Sequence, residues 1–359
     1  MMNRLTILPS TSAVDAYRGA QLSQQTVLLG HKAVTLRRLG DELITTLSGN
    51  RRIISPVGRK LLLDKLVERE SLRDATILKE LATFPGFISS LAVTFDELKQ
   101  SLVTPELLTT AARRRTNQPR LTLLTRLFTL YNRELQRLSL QDHLDALAAV
   151  ADSLEQGSPL PPLLHGVSSL EIRNIYDVTP LQRRLLSAIA RRLPVTVDFP
   201  FDDSRPALFS YVSRSIDDFE SLDNGDLQLE LTFSNPLATP FSELLATLFA
   251  EAPTAPATLA GVRLMALPGS MPECEEIGRA IRRLLAKGVS PTTSAIVARD
   301  TSRYGGVLED VCRRYRIPLS YRRGAPLATS PLIATILAPL RLALSQLERD
   351  ELLTLIGST

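Results

Sequence analysis

The stretch that decides the fold begins with the apolar run Val262–Leu267, VRLMAL. A segment with acidic residues first and basic residues last follows at Pro272–Lys287, and a second apolar run ends at Arg299. An arginine-rich segment, Ser302–Arg316, comes next. Short apolar runs that alternate with amphipathic segments are typical of α/β proteins. The stretch therefore predicts a strand, a helix, a second strand and a second helix.

The rest of the chain is predicted to form two α/β segments on either side of a helical block. Apolar periodicity predicts only helices from Ser55 to Leu154, with helix-start signals at Ser55-Pro56 and Thr104-Pro105. An Ala/Pro/Thr-rich linker is predicted at Ala252–Gly261. The predicted strands outside the block are Leu5–Leu8, Thr26–Leu29, Leu163–Val167, Val195–Phe199 and Leu227–Phe233. The predicted helices there are Ala13–Ser23, Val34–Leu47, Pro180–Arg192, Arg205–Leu222 and Pro240–Glu251, with Pro331–Gln346 and Asp350–Ile356 near the end of the chain.

Several of these segments resemble one family. The helix that starts near Glu273, the Arg299 that follows a strand, and the ending Arg316-Ile317-Pro318 resemble the second RecA-like lobe of superfamily 1 DNA helicases. More closely, they resemble the helicase-like half of AddB-type helicase–nuclease subunits, which belong with the PD-(D/E)XK exonucleases. The motifs Phe84-Pro85-Gly86-Phe87 and Phe95–Lys99 are similar to the same family.

The resemblance implies an α/β fold with a RecA-like (P-loop-NTPase-like) first lobe, an all-helical insertion and the start of a second RecA-like lobe. The first lobe would comprise residues 1–54 and 155–255, and the insertion residues 55–154. Residues 262–330 would begin the second lobe, and residues 331–359 a second helical insertion. Because family members continue beyond this point, we expect a fragment whose missing C-terminal part includes a nuclease domain.

The motifs for ATP hydrolysis are missing from this sequence. A P-loop, G-x-x-x-x-G-K-[ST], cradles phosphates with backbone N–H groups and a lysine. After the first predicted strand the chain instead has Pro9 followed by the hydroxyl residues Ser10, Thr11 and Ser12. The predicted strand Leu163–Val167 is followed by no acidic residue that could hold Mg²⁺. We therefore expect no cofactor and no hydrolysis of ATP with Mg²⁺.

A vestigial nucleotide cleft is the functional reading of several of these residues. It would bring Ser10, Thr11 and Ser12 of the first lobe together with Glu273 and Arg299 of the second, as the resemblance implies. The hydroxyls could hold an anion at a helix start, although simple helix capping is the simpler role. Glu273 also fits an ordinary helix whose charges complement its dipole. Arg299 could equally form a structural ion pair.

Arginine is concentrated in two places, although the formal net charge is only +4. Guanidinium groups suit bidentate contacts to phosphate, so these clusters are candidates for binding single-stranded DNA. Solvated helix faces are the alternative. Aromatic residues make up 5% of the chain, so no platform for stacking bases is visible. The candidate DNA-binding residues are Arg113, Arg114, Arg115, Arg120, Arg303, Arg322 and Arg323.

Metal sites and membrane association are not expected. The two cysteines, Cys274 and Cys312, and the three histidines share no ligand spacing. Glu97-Leu98-Lys99 matches part of a nuclease motif, but it falls on a predicted helix and is read as chance. No apolar run approaches the ~18–20 residues of a membrane span, and no signal peptide is visible. We expect a cytoplasmic protein without a membrane partner.

Four functions remain open at this point. The first is a non-catalytic, inactivated helicase-like module of a DNA end-processing helicase–nuclease in recombinational DNA repair. It would grip single-stranded DNA and hold a partner helicase subunit and its own nuclease domain. The second is a protein-interaction scaffold for that helicase partner, without DNA binding of its own. The third is an active ATP-dependent helicase with degenerate motifs, and the fourth is a metabolic α/β enzyme.

Overall fold

A computed structural model of the chain describes residues 4–24, 32–47, 51–72, 77–84, 86–114, 118–175, 177–201, 206–220, 228–234, 262–320, 327, 330–344 and 349–357. The chain divides into two compact units, residues 1–257 and 258–359. Each unit is described by itself below.

The first unit is built on a five-stranded parallel sheet with the strand order β2-β1-β5-β6-β7. Its strands are β1 (Arg4–Leu8), β2 (Lys32–Thr35), β5 (Ser169–Arg173), β6 (Val195–Pro200) and β7 (Leu229–Ser234). Two further strands, β3 (Arg52–Ile53) and β4 (Leu140–Gln141), form a separate parallel pair. The chain leaves β1 towards β2 on one side and continues from β5 towards β7 on the other. This reversal makes the sheet doubly wound, with its switch point between β1 and β5.

Helices cover both faces of the sheet. The helix α1 (Thr11–Gln24) covers one face, where Val14 and Tyr17 pack near Leu8 and Ala33. The opposite face holds the large core and is covered by α2 (Leu36–Leu47), α8 (His143–Glu155), α9 (Pro180–Ala190) and α10 (Ser210–Glu220). Because parallel crossovers are right-handed, a reversal of strand order places successive helices on opposite faces.

The helical block is a second layer with its own core. Its helices are α3 (Pro56–Ser71), α4 (Ile77–Ala82), α5 (Phe87–Gln100), α6 (Pro105–Arg113) and α7 (Pro119–Arg137). The rings of Phe128 and Tyr131 lie 5.0 and 5.3 Å from the Phe95 ring at its centre. Ser55 and Thr104 cap α3 and α6 as the sequence predicted, each with proline in the first turn. Helix α8, which the sequence analysis grouped with this block, instead packs in the sheet core through Ala146, Leu147, Val150, Ala151 and Leu154.

The second unit is mainly helical in the residues that the structure describes. It contains α11 (Ser270–Ala286), α12 (Thr301–Arg314), α13 (Pro331–Leu344) and α14 (Arg349–Gly357). Helices α11 and α12 pack closely at Gly278, where an added Cβ would lie 2.7 Å from a methyl carbon of Val311. Only a residue without a side chain permits this approach.

One strand prediction in the first unit was wrong, and one helix was predicted to begin too early. The predicted strand Leu163–Val167 is a 3₁₀ turn at Pro162–Leu164, and the true strand β5 follows it. In β5 the buried Leu170 and Ile172 alternate with the charged Glu171 and Arg173, which lowers its mean hydropathy. On the side of β1 away from β5, the described residues contain β2, in which Val34 pairs with Ile7. The following helix therefore begins at Leu36 and not at Val34. The predicted strand Thr26–Leu29 lies outside the described residues.

Most of the other predicted strands and helices are confirmed, and a few are not. The strands at Leu5–Leu8, Val195–Phe199 and Leu227–Phe233 and most helices are confirmed within one to five residues of their ends. The block 55–154 is not purely helical, because β4 lies within it. Val262–Leu267 and the run ending at Arg299 form no strand in the described second unit, where Leu264 is 97% exposed and Val297 92% exposed. A strand needs a neighbour to bond its N–H and C=O groups. The helix Pro240–Glu251 and the linker Ala252–Gly261 lie outside the described residues. The fold is therefore α/β with a parallel sheet, and its RecA-like character remains a prediction.

Candidate nucleic-acid interface

The connection between β1 and α1 is only Pro9 and Ser10, which leaves no room for a phosphate-binding loop. The Ser10 hydroxyl accepts a hydrogen bond from the backbone N–H of Ala13 at 3.1 Å, and the Ser10 carbonyl accepts one from Val14 at 3.0 Å. Ser10, Thr11 and Ser12 are all exposed at the start of this helix. Ser10 therefore serves as a helix cap.

A pocket of about 470 Å³ lies between the helical block and the sheet-covering helices of the first unit. We call it the insertion cleft. It is formed by the first turns of α2, α3, α8 and α9 and by the C-terminal half of α5. The positive ends of four helix dipoles therefore point towards this region. The lining residues are Leu36, Arg37, Gly40, Pro56, Arg59, Asp96, Gln100, His143, Leu144, Leu147, Thr179, Leu181, Gln182 and Leu185.

Two arginines line the cleft, and one of them already has an acidic partner there. Arg59 is held in place by an ion pair with Asp96 at 2.8 Å and a hydrogen bond to the Ala92 carbonyl at 3.1 Å. Burial lowers the pKa of Arg59, but the neighbouring Tyr131 and Asp96 outweigh burial, so its pKa is raised and the group stays charged. Arg37 is exposed, and no other described residue forms a hydrogen bond or ion pair with its guanidinium. Its charge is available to a ligand.

A histidine completes the polar rim of the cleft. His143 Nε2 lies 2.7 Å from an Asp41 carboxylate oxygen, and both side chains are about half exposed. Asp41 lies on α2, one turn beyond Arg37, and His143 is the first residue of α8. This contact joins two walls of the cleft.

The arginine cluster at residues 113–137 is only partly free. Arg126 forms an ion pair with the buried Glu70 at 2.6 Å, and Arg137 forms one with Glu134 at 2.7 Å. Glu70 belongs to α3, so it could not be matched to Arg126 by sequence spacing. Of the predicted DNA-binding residues, Arg113, Arg114 and Arg120 are exposed on the helical block. Arg115, Arg322 and Arg323 lie outside the described residues.

The acidic residues in the first turns of α11 form hydrogen bonds with tyrosines in and directly after α12. Glu273 accepts a hydrogen bond from the Tyr304 hydroxyl at 2.7 Å, and Glu275 accepts one from the Tyr315 hydroxyl at 2.7 Å. Arg303 is exposed, with its guanidinium 5.8 Å from the Tyr304 ring centre. Arg299 is exposed as well. The vestigial cleft needs residues of both units, so it remains a prediction.

The sequence analysis missed the insertion cleft. Arg37, Arg59 and His143 are far apart in the chain and belong to three different helices. One signal was available, since Thr35-Leu36-Arg37-Arg38 places two arginines directly after a strand of the sheet.

The described residues meet the requirements of neither a metal site nor a membrane-spanning helix. They hold no group of three or more His, Cys, Asp or Glu side chains arranged to bind a metal ion. Among the same residues, every helix is too short or too polar to cross a membrane.

Comparison with known families identifies the segment that contains the cleft. A search among curated proteins found no match. The family model described as "ADDB, N-terminal" matches residues 17–192, from within α1 to just past the end of α9. The match includes the whole helical block and every residue that lines the insertion cleft. Over these residues the chain matches an AddB-type N-terminal domain.

Proposed function

We propose that this chain is a non-catalytic, helicase-like module of an AddB-type DNA repair protein and that it holds single-stranded DNA in the insertion cleft. The observation that carries the proposal is the exposed Arg37, which pairs with no described residue, at the rim of a cleft lined by four helix N-termini within the AddB-type segment. Arginine matches the geometry of a phosphate, and helix N-termini add fixed positive charge. Phosphate contacts alone would give binding that depends little on base sequence.

The exposed arginines of the helical block extend this surface in the proposal. Arg113 and Arg114 end α6, and Arg120 lies in the first turn of α7. Since none of the three forms an ion pair with another described residue, each is available to a phosphate as far as that part of the chain shows. By contrast, Arg126 and Arg137 would have to leave Glu70 and Glu134.

The short β1–α1 connection supports the non-catalytic part of the proposal. A P-loop needs several residues between strand and helix to surround the phosphates. Here two residues make the connection, and a serine caps the helix that follows. An active helicase with degenerate motifs predicts that a labelled nucleotide binds with Mg²⁺ at micromolar concentration, whereas our proposal predicts no such binding.

The experiment is fluorescence anisotropy of the full chain with a short labelled DNA single strand, without nucleotide, across a salt series. Arg37→Ala should weaken binding about tenfold and make the salt dependence shallower by about 0.7 in log–log slope. Arg191→Ala is the matched control, since Arg191 is exposed at the opposite end of α9. Equal effects of the two variants would contradict the cleft as the binding site.

The family assignment also suggests partners, which we include in the proposal. These are a helicase subunit and a nuclease domain beyond residue 359. Co-purification of the chain with a candidate helicase subunit would test the first. A stable complex together with no DNA binding at low salt would favour the scaffold function instead.

A further inference from the structure

We propose that three buried residues and one partly exposed aspartate form a clamp that fixes the helical block against the sheet and so sets the width of the insertion cleft. The residues are Lys99, Tyr131, Asp142 and Asp145, and we call them the Lys99 clamp. They belong to α5, α7, the N-cap of α8 and α8 itself. The consequence for DNA rests on the function proposed above, but the clamp itself does not.

The contacts of the clamp are short and converge on one ammonium group. Lys99 Nζ lies 2.6 Å from Asp142 Oδ2 and 2.7 Å from both carboxylate oxygens of Asp145. The Tyr131 hydroxyl donates to the same Asp142 oxygen at 3.0 Å. The side chains of Lys99 and Asp142 are only 7% and 4% exposed. Burial raises the pKa of Asp142, but Lys99 outweighs burial, so the pKa is lowered and the carboxylate is ionised.

The clamp lies where two separate hydrophobic cores meet. Tyr131 packs against Phe95 in the core of the helical block. Leu147 and Val150 of α8 belong to the sheet core. Apolar contacts are non-directional, so they set the spacing of such layers more tightly than their orientation. A buried ion network is satisfied only in one register, and fixing register is the best-attested role of such networks.

The clamp also positions residues that line the cleft. Asp142 Oδ1 accepts backbone hydrogen bonds from Leu144 and Asp145 at 3.1 and 3.0 Å, which fixes the first turn of α8. His143 and Leu144 line the cleft from this turn. On the other wall, the Arg59 guanidinium lies 5.6 Å from the centre of the Tyr131 ring. Lys99 is therefore a positioning residue for both walls.

The test is a distance measurement on the full chain that needs no DNA. Spin labels would be placed at Thr110→Cys in the helical block and at Gln156→Cys after α8, with Cys274 and Cys312 replaced by Ala. Both label sites are exposed. The parent should give one narrow distance distribution. The triple variant Lys99→Met, Asp142→Asn, Asp145→Asn removes the charges while asparagine retains the cap, and it should broaden the distribution at least twofold.

Two further variants serve as a control and as a substitute for the triple variant. Lys65→Met makes the same substitution at an exposed site of α3 and should leave the distribution narrow. If the triple variant does not fold, Asp145→Asn decides, because the Asp145 side chain is 35% exposed and the Lys99–Asp142 and Tyr131–Asp142 contacts remain. A folded variant with an unchanged narrow distribution overturns the clamp. If the parent binds no DNA, the proposed function is overturned. The clamp is tested independently, by whether the distance distribution broadens in the variant.

Discussion

Replacing Lys99 with Met should destabilise the first unit strongly and in a pH-dependent way. The substitution keeps the length of the side chain but leaves the carboxylates of Asp142 and Asp145 without their shared cation. Breaking a buried ion pair from one side costs about 3–5 kcal/mol. Both lysine contacts are 2.7 Å or shorter and Lys99 is 7% exposed, so we expect the full range to apply at pH 7.

The pH dependence has a definite sign. Without Lys99 the folded-state pKa of the two carboxyl groups rises above their unfolded value of about 3.9. A raised folded pKa contributes stability at pH values below the unfolded pKa, and this contribution is lost as pH rises through the folded pKa. The deficit of the variant relative to the parent should therefore be largest at pH 7 and smaller at pH 5.

Hydrogen exchange of peptides from α8, measured by mass spectrometry, reports on the first unit without a contribution from the second. At pH 7 the slowest amides of α8 should exchange about 10²- to 4 × 10³-fold faster in Lys99→Met than in the parent, since about 1.4 kcal/mol corresponds to a factor of ten. Lys65→Met provides the control at an exposed lysine. Parent-like protection at pH 7, or a larger deficit at pH 5, would refute the reasoning.

Three other predictions concern single contacts. Gly278→Ala should destabilise the second unit by about 1–3 kcal/mol, because the new Cβ would meet Val311 at 2.7 Å. Gly306→Ala, which has open space around the new Cβ, should instead stabilise α12 by about 0.5–1 kcal/mol. Thermal unfolding should therefore show melting temperatures shifted in opposite directions for the two variants. Ser55→Ala removes the hydroxyl that accepts from the Gly58 N–H at 3.0 Å and should cost about 1 kcal/mol in urea unfolding, with a loss below 0.3 kcal/mol arguing against the cap. Arg113→Ala combined with Arg114→Ala should reduce the salt slope of single-stranded DNA binding by about 1.4, and an unchanged slope would exclude them as phosphate contacts.

The sequence was sufficient where one periodicity dominates a segment. The strand β1, the helix α5 and the proline-started helices α3 and α6 follow from apolar spacing and capping residues alone. The strand β5 was missed because Glu171 and Arg173 lie in it. The ion pairs of Glu171 with Arg173 and with Arg4 become visible only once the sheet is formed.

The candidate site was harder to predict for the same physical reason. Arg59 and Asp96, or Lys99 and Asp142, are about 40 residues apart, and no local pattern indicates that they meet. Lys99 was read as part of a chance nuclease motif because it falls on a predicted helix, and the burial of its side chain does not show in the local sequence. Burial and long-range pairing, which decide whether a charge is free to bind DNA, come from packing and not from local sequence.

The central claim is that the insertion cleft, which lies within the segment that matches the AddB-type family, holds single-stranded DNA through phosphate contacts. The most direct measurement is the affinity for a short DNA single strand at a series of salt concentrations, for the parent, Arg37→Ala and Arg191→Ala. The account predicts binding that weakens steeply with salt, a shallower slope for Arg37→Ala and a parent-like slope for Arg191→Ala. No binding at low salt, or the same slope for all three proteins, would contradict it.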